Sequence, residues 1–318
     1  MFNPAKSKMP KEKIKYSKED NRNGFLFALP WIIGFLCFSV IPLMTSFYYS
    51  FTEFNPVKDP VWVGLDNYKY VFSDPLTFKS LGNTLFMAFV STPVNLFIAL
   101  ILASLLNSKF KGRGVARTIF FMPSVIPMIA ATMVWIWMFD PTYGYINRVL
   151  SWFGIDGPSW LVNPAYTKWA LVLMGTWCIG TTMLICLAAL QDVPRSYYES
   201  ADIDGANVFT KFFKITLPCV APVLVYQAIL NIINAFQYFT QVYVIINASS
   251  GGGSSEAGGG PANSILMFPL YLFNTAFSYM KMGRASAMAW VLFIIVGILT
   301  LIMTKVTKSV SESGVGGE

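Results

Sequence analysis

The chain reads as an all-α integral membrane protein with six transmembrane helices and both termini in the cytoplasm. Three observations predict this. Apolar residues make up 55% of the 318 positions and charged residues 12%, about half the charge of an ordinary soluble domain. The charges are also segregated, because residues 23–52, 80–108, 118–139, 169–191, 215–255 and 285–304 contain no Asp, Glu, Lys or Arg. Each run is long enough to cross roughly 30 Å of hydrocarbon as a helix. Finally, with the N-terminus inside, the inner segments hold 16 Lys and Arg and the outer segments 7, the bias that sets membrane orientation.

The predicted spans lie near 25–50, 83–106, 118–139, 169–190, 220–246 and 285–304. They divide the chain into a cytoplasmic polar arm (1–24), a transmembrane domain (25–305) and a cytoplasmic tail (306–318). The arm, Lys6 to Arg22, is too charged for a secretory signal, and an uncleaved first helix is expected. A further charge-free run, 257–280, competes for a crossing. Its Gly258, Gly259, Gly260, Pro261, Pro269 and Asn274, and the short gap Lys281–Arg284 before the last span, predict instead an extracytoplasmic helix lying at the surface. Pro93, Pro123 and Pro127 are expected to kink their helices. Trp31, Trp135, Trp137, Trp169 and Trp290 are expected as interface anchors. Cys37, Cys178, Cys186 and Cys219 form no Cys-x-x-Cys pair and read as buried structural thiols.

Several function classes are excluded. No Gly-x-x-x-x-Gly-Lys-[Ser/Thr] occurs, and the Gly-rich stretch 251–261 has no lysine after it, so it reads as a flexible outer loop and the chain has no P-loop of its own. Histidine is absent, which removes the usual general base and the commonest metal ligand. The spans carry no mid-membrane ionisable residue of the kind proton-coupled carriers use. The net charge of +7 comes from the cytoplasmic face and points to anionic membrane lipid rather than nucleic acid.

The polar segment 191–218 stands apart. Asp192 can cap a helix, with Pro194 in its first turn. Residues 194–204 continue it, and Gly205 can end it in a left-handed conformation. Asn207 can cap a second helix, 208–214, and Pro218 starts the fifth span. Tyr197, Tyr198, Val208, Phe209, Phe212 and Phe213 are too many apolar side chains for a solvated linker. An interfacial helix resting on headgroups and a knob for a cytoplasmic partner are the two physical readings.

Glu199-Ser200-Ala201, then Gly205, then nine residues to Ile215-Thr-Leu217-Pro218 resembles the EAA signature of binding-protein-dependent ABC importer permeases, with Ser200 the single departure. Ile203–Ala206, Phe212–Pro218, Gly258–Asn263, Phe277, Gly283 and Ala285–Trp290 resemble the maltose-type sugar branch, and the similarity runs from about residue 25 to 305. The resemblance implies a type I permease-like fold in the bacterial cytoplasmic (inner) membrane. It implies that 194–218 is a coupling helix seated in a separate ATPase subunit, with Glu199, Ser200, Ala201 and Gly205 docking and Ile215, Leu217 and Pro218 anchoring. It also implies a second permease subunit, two ATPase subunits that bind the ATP and Mg, no cofactor on this chain, and an extracytoplasmic sugar-binding protein that meets loops 51–80, 140–168 and 247–284.

Gln227, Asn231, Asn234, Tyr238 and Gln241 are spaced 4, 3, 4 and 3, which puts them on one face of a helix, with Gln237 close by. Unpaired amides in hydrocarbon cost several kcal/mol each, roughly, so this stripe must face the interior. It reads as interhelical glue or as a substrate-pathway lining for sugar hydroxyls, with Trp177, Thr181 and Thr182 of the fourth span as further candidates. The two rival classes are a stand-alone channel or secondary carrier for a neutral polar solute and a membrane-embedded enzyme. The 194–218 loop and the lack of intramembrane ionisable groups argue against the first, and the absence of histidine and of paired mid-membrane carboxylates argues against the second.

Overall fold

The computed structural model describes residues 18–108, 110–248 and 258–315, with side chains described from 22 to 305. The polar arm up to residue 17 and the glycine-rich stretch 249–257 lie outside the described residues. Four helices are long and apolar enough to cross a membrane, and two bent helix pairs bring the total to six.

The first span is α1 (Lys18–Phe35) and α2 (Ile41–Tyr49), joined by a π-turn. A short antiparallel hairpin, β1 (Thr52–Asn55) and β2 (Lys58–Trp62), and α3 (Asp66–Ser73) follow. The second span is α4 (Pro75–Phe86) and α5 (Thr92–Asn107). The third is α6 (Arg113–Phe121) and α7 (Met128–Met138), after which comes α8 (Tyr145–Trp152). The fourth is α9 (Pro164–Trp177) and α10 (Gly180–Asp192). The segment 191–218 holds α11 (Arg195–Ile203) and α12 (Val208–Lys211), and the fifth span is α13 (Leu217–Phe236) and α14 (Thr240–Ala248). The short α15 (Phe268–Phe273) precedes the last span, α16 (Met282–Val315).

Two spans are broken, the third where its prolines were expected to kink it and the fourth where no proline announces a break. The third bends by 100° between Val125 and Met128, and the fourth by 53° between Trp177 and Gly180. Pro127 accounts for the first break: a proline disfavours helix in the residue before it, and Ile126 is extended at ψ 132°, as is Pro127 itself. Pro93 leaves its helix continuous. The π-turns Leu36–Val40, Met87–Ser91 and Phe212–Thr216 are each followed, two residues on, by Pro42, Pro93 and Pro218. The carbonyl each proline ring would strike, four residues back, belongs to Phe38, Phe89 and Lys214, inside those π-turns. The extra residue per turn makes room for the ring. Pro218 therefore does not interrupt the fifth span, which runs as helix from Val208 to Phe236.

The segment expected as a surface helix is instead among the most buried parts of the molecule. Ile265, Leu266, Met267, Phe268 and Leu270 are at most 1% exposed. Asn83 on α4 donates through Nδ2 to the carbonyls of Asn263 and Leu266, both at 3.0 Å, and Thr84 Oγ1 accepts from the Phe268 amide at 2.9 Å. Tyr271 donates its hydroxyl to Asp74 Oδ2 at 2.7 Å; burial first, then that bond, hold the phenol well above its usual pKa range. Short helix signals in an apolar run do not distinguish a surface element from a buried plug; the buried amide and hydroxyl on the second span do.

Two apolar clusters make the core. The larger joins the second, third, fourth, fifth and last spans around the 265–271 segment, and the smaller joins α5, α10 and the base of α13. Trp135 sits in the larger cluster, 6.0 Å edge-on from Trp177, and is no interface anchor; Trp31, Trp137 and Trp169 are exposed as expected. All four cysteines are free, but Cys37 and Cys219 lie on the surface rather than in the core. Gly180 marks a close approach between α10 and the end of α6. A Cβ there would lie 2.5 Å from Ser124 Oγ, 2.8 Å from Phe121 Cα and 2.9 Å from the Phe120 carbonyl. Backbone cannot yield cheaply, so Gly180→Ala is expected to cost about 1–3 kcal/mol of overpacking, read as a lower melting temperature of the detergent-solubilised protein.

Candidate functional site: a docking arm and a polar lining

Residues 110–113 and 192–216 collect at one end of the bundle, which the Lys/Arg bias places in the cytoplasm. There α11 starts at Arg195 with Pro194 extended as its cap, and Asp192 closes α10 instead of capping α11. The end of α11 is as the glycine predicts. Gly205 has φ +70°, its amide bonds the Asp202 carbonyl at 3.1 Å, and the Ala206 amide bonds the Ala201 carbonyl at 2.9 Å. This pair is the left-handed Schellman termination, for which glycine is the residue of least strain. Asn207 Oδ1 then accepts from the Thr210 amide at 2.8 Å and starts α12.

The arm is fastened to the fifth span at two points. Lys211 on α12 pairs with Asp202 on α11, and the Tyr198 hydroxyl lies 2.8 Å from Thr216 Oγ1. Tyr198, Phe212, Ile215 and Leu217 pack on the smaller core cluster. The opposite side faces out: Glu199 and Ser200 are exposed, Ile203 is 88% exposed, and Tyr197, Val208, Phe209 and Phe213 are all open. Glu199 makes no hydrogen bond or ion pair with the described residues. Ala201 is buried, so its small size serves packing within the chain, and Pro218 is on the surface. Ile203 is a docking candidate that motif reading passed over; its place one turn beyond Glu199, between two acidic residues, was the available signal.

The stripe on the fifth span is only partly one face. The helix loosens at Gln237–Phe239, where the Gln237 amide bonds the Asn234 carbonyl and the Tyr238 amide the Ala235 carbonyl. Tyr238 and Gln241 therefore follow a break that no Gly or Pro announces. Tertiary packing of the aromatic residues explains it, since Phe239 stacks on Tyr243 at 5.2 Å and meets Phe273 at 5.1 Å.

Gln227 is 3% exposed. Gln227 Nε2, Asn231 Nδ2 and the Tyr238 hydroxyl are buried without a protein partner, as are Asn95 Oδ1 on the second span and Trp135 Nε1 on the third. Gln241 is half-buried, while Asn234 and Gln237 are exposed along the side that also shows Tyr226 and Leu230. Trp177 and Tyr238 pack on the larger cluster, and Thr181 is exposed. Interhelical glue predicts paired amides, and these are unpaired. Buried polar atoms without protein partners are costly, and a set of uncharged donors and acceptors is chemically suited to water and hydroxyl groups.

A helical membrane protein with an exposed arm bonded to a helix that carries buried, unpaired amides is what these features define. Residues 95–311 match the family described as binding-protein-dependent transport system inner membrane component, and the chain belongs to that family. It is 41% identical over 300 residues to the probable ABC transporter permease protein YesP of Bacillus subtilis, covering 93% of this chain and 94% of the relative. It is 33% identical over 298 residues to the trehalose/maltose transport system permease protein MalF of Thermococcus litoralis, covering 93% and 96%. It is 33% identical over 293 residues to the arabinooligosaccharides transport system permease protein AraP of Bacillus subtilis, covering 91% and 90%. A chain of the crystal structure of a bacterial ABC transporter involved in the import of the acidic polysaccharide alginate superposes with a TM-score of 0.77 at 22% identity, covering 92% and 98%. The protein is a multi-pass permease of the inner membrane.

Proposed function

We propose that the chain is one of two permease subunits of an ATP-driven importer for neutral di- or oligosaccharides. It forms half of the translocation path and is driven by a separate ATPase through α11 and α12. The observation that carries this reading is the fastening of the exposed arm, by Tyr198–Thr216 and Asp202–Lys211, to the same unbroken helix that bears the buried amides Gln227 and Asn231. The uncharged lining supports a neutral cargo, as do the trehalose, maltose and arabinooligosaccharide cargoes named for the relatives. Glu199 supplies a charged contact to the ATPase, and Tyr197, Ile203, Phe209 and Phe213 fill its cleft. The exposed side with Tyr226, Leu230, Asn234 and Gln237 faces the second permease, and an extracytoplasmic binding protein delivers the sugar to the other end. ATP and Mg bind the ATPase subunits, and this chain carries no cofactor.

Affinity purification of the tagged chain from its host in mild detergent tests this assembly. A P-loop ATPase and a second six-span protein are expected to co-purify, and the ATPase to be lost when residues 199–218 are deleted from a chain that still inserts. Purification alone or as a homo-oligomer would put the stand-alone carrier forward instead.

A further inference from the structure

At the cytoplasmic end a notch of about 540 Å³ is lined, among the described residues, by Phe110, Lys111, Arg113 and Arg195. These come from two separate segments, the turn before α6 with that helix's first residue, and the first residue of α11. No Asp or Glu lines the notch, and none of the three cationic groups forms an ion pair or hydrogen bond with the described residues. Three like charges converging without a counter-charge raise the local potential and favour an anion. Two guanidinium groups offer the forked donors that match phosphate oxygens.

The surroundings identify the kind of anion. Leaving the notch, α6 presents Val115, Ile119 and Phe120 outward, at 66%, 57% and 42% exposure, and the charge-free run begins at Thr118. Phe110 stands half-exposed at the rim. Arg117, one turn beyond Arg113 on the same face, has a buried Nε without a protein partner. The site is thus basic at its mouth and apolar along one wall, the profile of a membrane–water boundary. It also lies at the membrane end of the arm: Arg195 is two residues past the buried Val193, whereas the docking residue Ile203 is about 12 Å further along α11.

We propose that this notch binds the phosphate-bearing headgroup of an anionic phospholipid, with Arg113 and Arg195 on the phosphate, Lys111 beside it, and an acyl chain along Val115 and Ile119. The lipid then bridges the second-to-third-span turn and the root of the docking arm. The link to the docking arm rests on the importer reading, but the cytoplasmic location rests on the Lys/Arg bias and lipid binding itself does not require an ATPase partner.

Native mass spectrometry of the delipidated, full-length protein with whatever subunits co-purify tests it. Phosphatidylglycerol or phosphatidylcholine is added back at equal concentration. Phosphatidylglycerol is expected to be retained about tenfold or more over phosphatidylcholine. The triple substitution Lys111→Gln, Arg113→Gln, Arg195→Gln should remove that preference, and the charge-conserving pair Arg113→Lys, Arg195→Lys should keep most of it. Equal retention of the two lipids by the unaltered protein overturns the proposal, a result that needs no variant to fold. Displacement of phosphatidylglycerol by millimolar inorganic phosphate overturns it in favour of a free anion. Loss of a co-purifying ATPase from the triple variant with lipid retention unchanged overturns it in favour of a protein contact. That last outcome would leave the importer reading standing.

Discussion

Glu199→Lys is expected to abolish sugar-dependent ATP hydrolysis and uptake while leaving the protein folded and inserted. Glu199 is exposed and has no partner within the described residues, so reversing its charge should move fold stability by no more than about 0.5 kcal/mol. If it meets a cation in the ATPase cleft, the same change costs about 2–5 kcal/mol of docking energy, roughly 30-fold or more in affinity. Gly205→Val should reach a similar end by another route. A β-branched residue at φ +70° is strained by at least about 1–2 kcal/mol, so the turn after α11 should rearrange and Asn207 lose its capping position. Uptake into proteoliposomes, ATPase rate and pull-down of the ATPase subunit separate the two variants from simple misfolding. Assembly and coupled hydrolysis like wild type in both would sink the coupling assignment.

Gln227→Leu with Asn231→Leu is expected to lose uptake without losing stability, and even to gain some. Each side chain has a buried amide nitrogen with no protein partner. Replacing such a group by an apolar one of similar size removes a desolvation cost of about 1–3 kcal/mol. If the amides line the sugar path, the melting temperature should hold or rise while transport disappears, the usual exchange of function for stability. A melting temperature that falls with uptake intact would show that the amides bind helices to one another. Asn234→Leu should act more weakly on stability, since Asn234 is exposed.

Much of this was legible from residue order because the strongest signals are local. Charge-free runs of twenty residues, the φ demanded of Gly205 and the cap at Asn207 depend on nothing far away. The breaks in the spans were harder to read, for opposite reasons. Pro123 and Pro127 announce theirs, but its size depends on packing against Gly180 and α10. The loosened turn at Gln237–Phe239 has no breaker and follows from aromatic contacts with Phe273, over thirty residues away. The 265–271 segment misled most, because its prolines and glycines describe a short helix without saying what covers it. That information resided in Asn83 and Thr84, polar residues that look unremarkable within the second span. The stripe was read from helical spacing, which cannot register which amides find partners.

The uninterrupted helix from Val208 to Phe236 has a mechanical consequence. Asn231 lies 23 residues beyond Val208, about 35 Å along a helix that stays continuous past Pro222. Tilting that helix by about ten degrees from its lower end swings Asn231 sideways by about 6 Å, a little more than one helical pitch. Above it, the loosened turn at Gln237–Phe239 can act as a joint, so that α14 need not follow. If the proposed ATPase pushes the foot, that small push would become a gate-sized stroke at mid-membrane. The π-turn in front of Pro218 keeps that lever in one piece: a kink there would absorb the push before it rose into the bilayer.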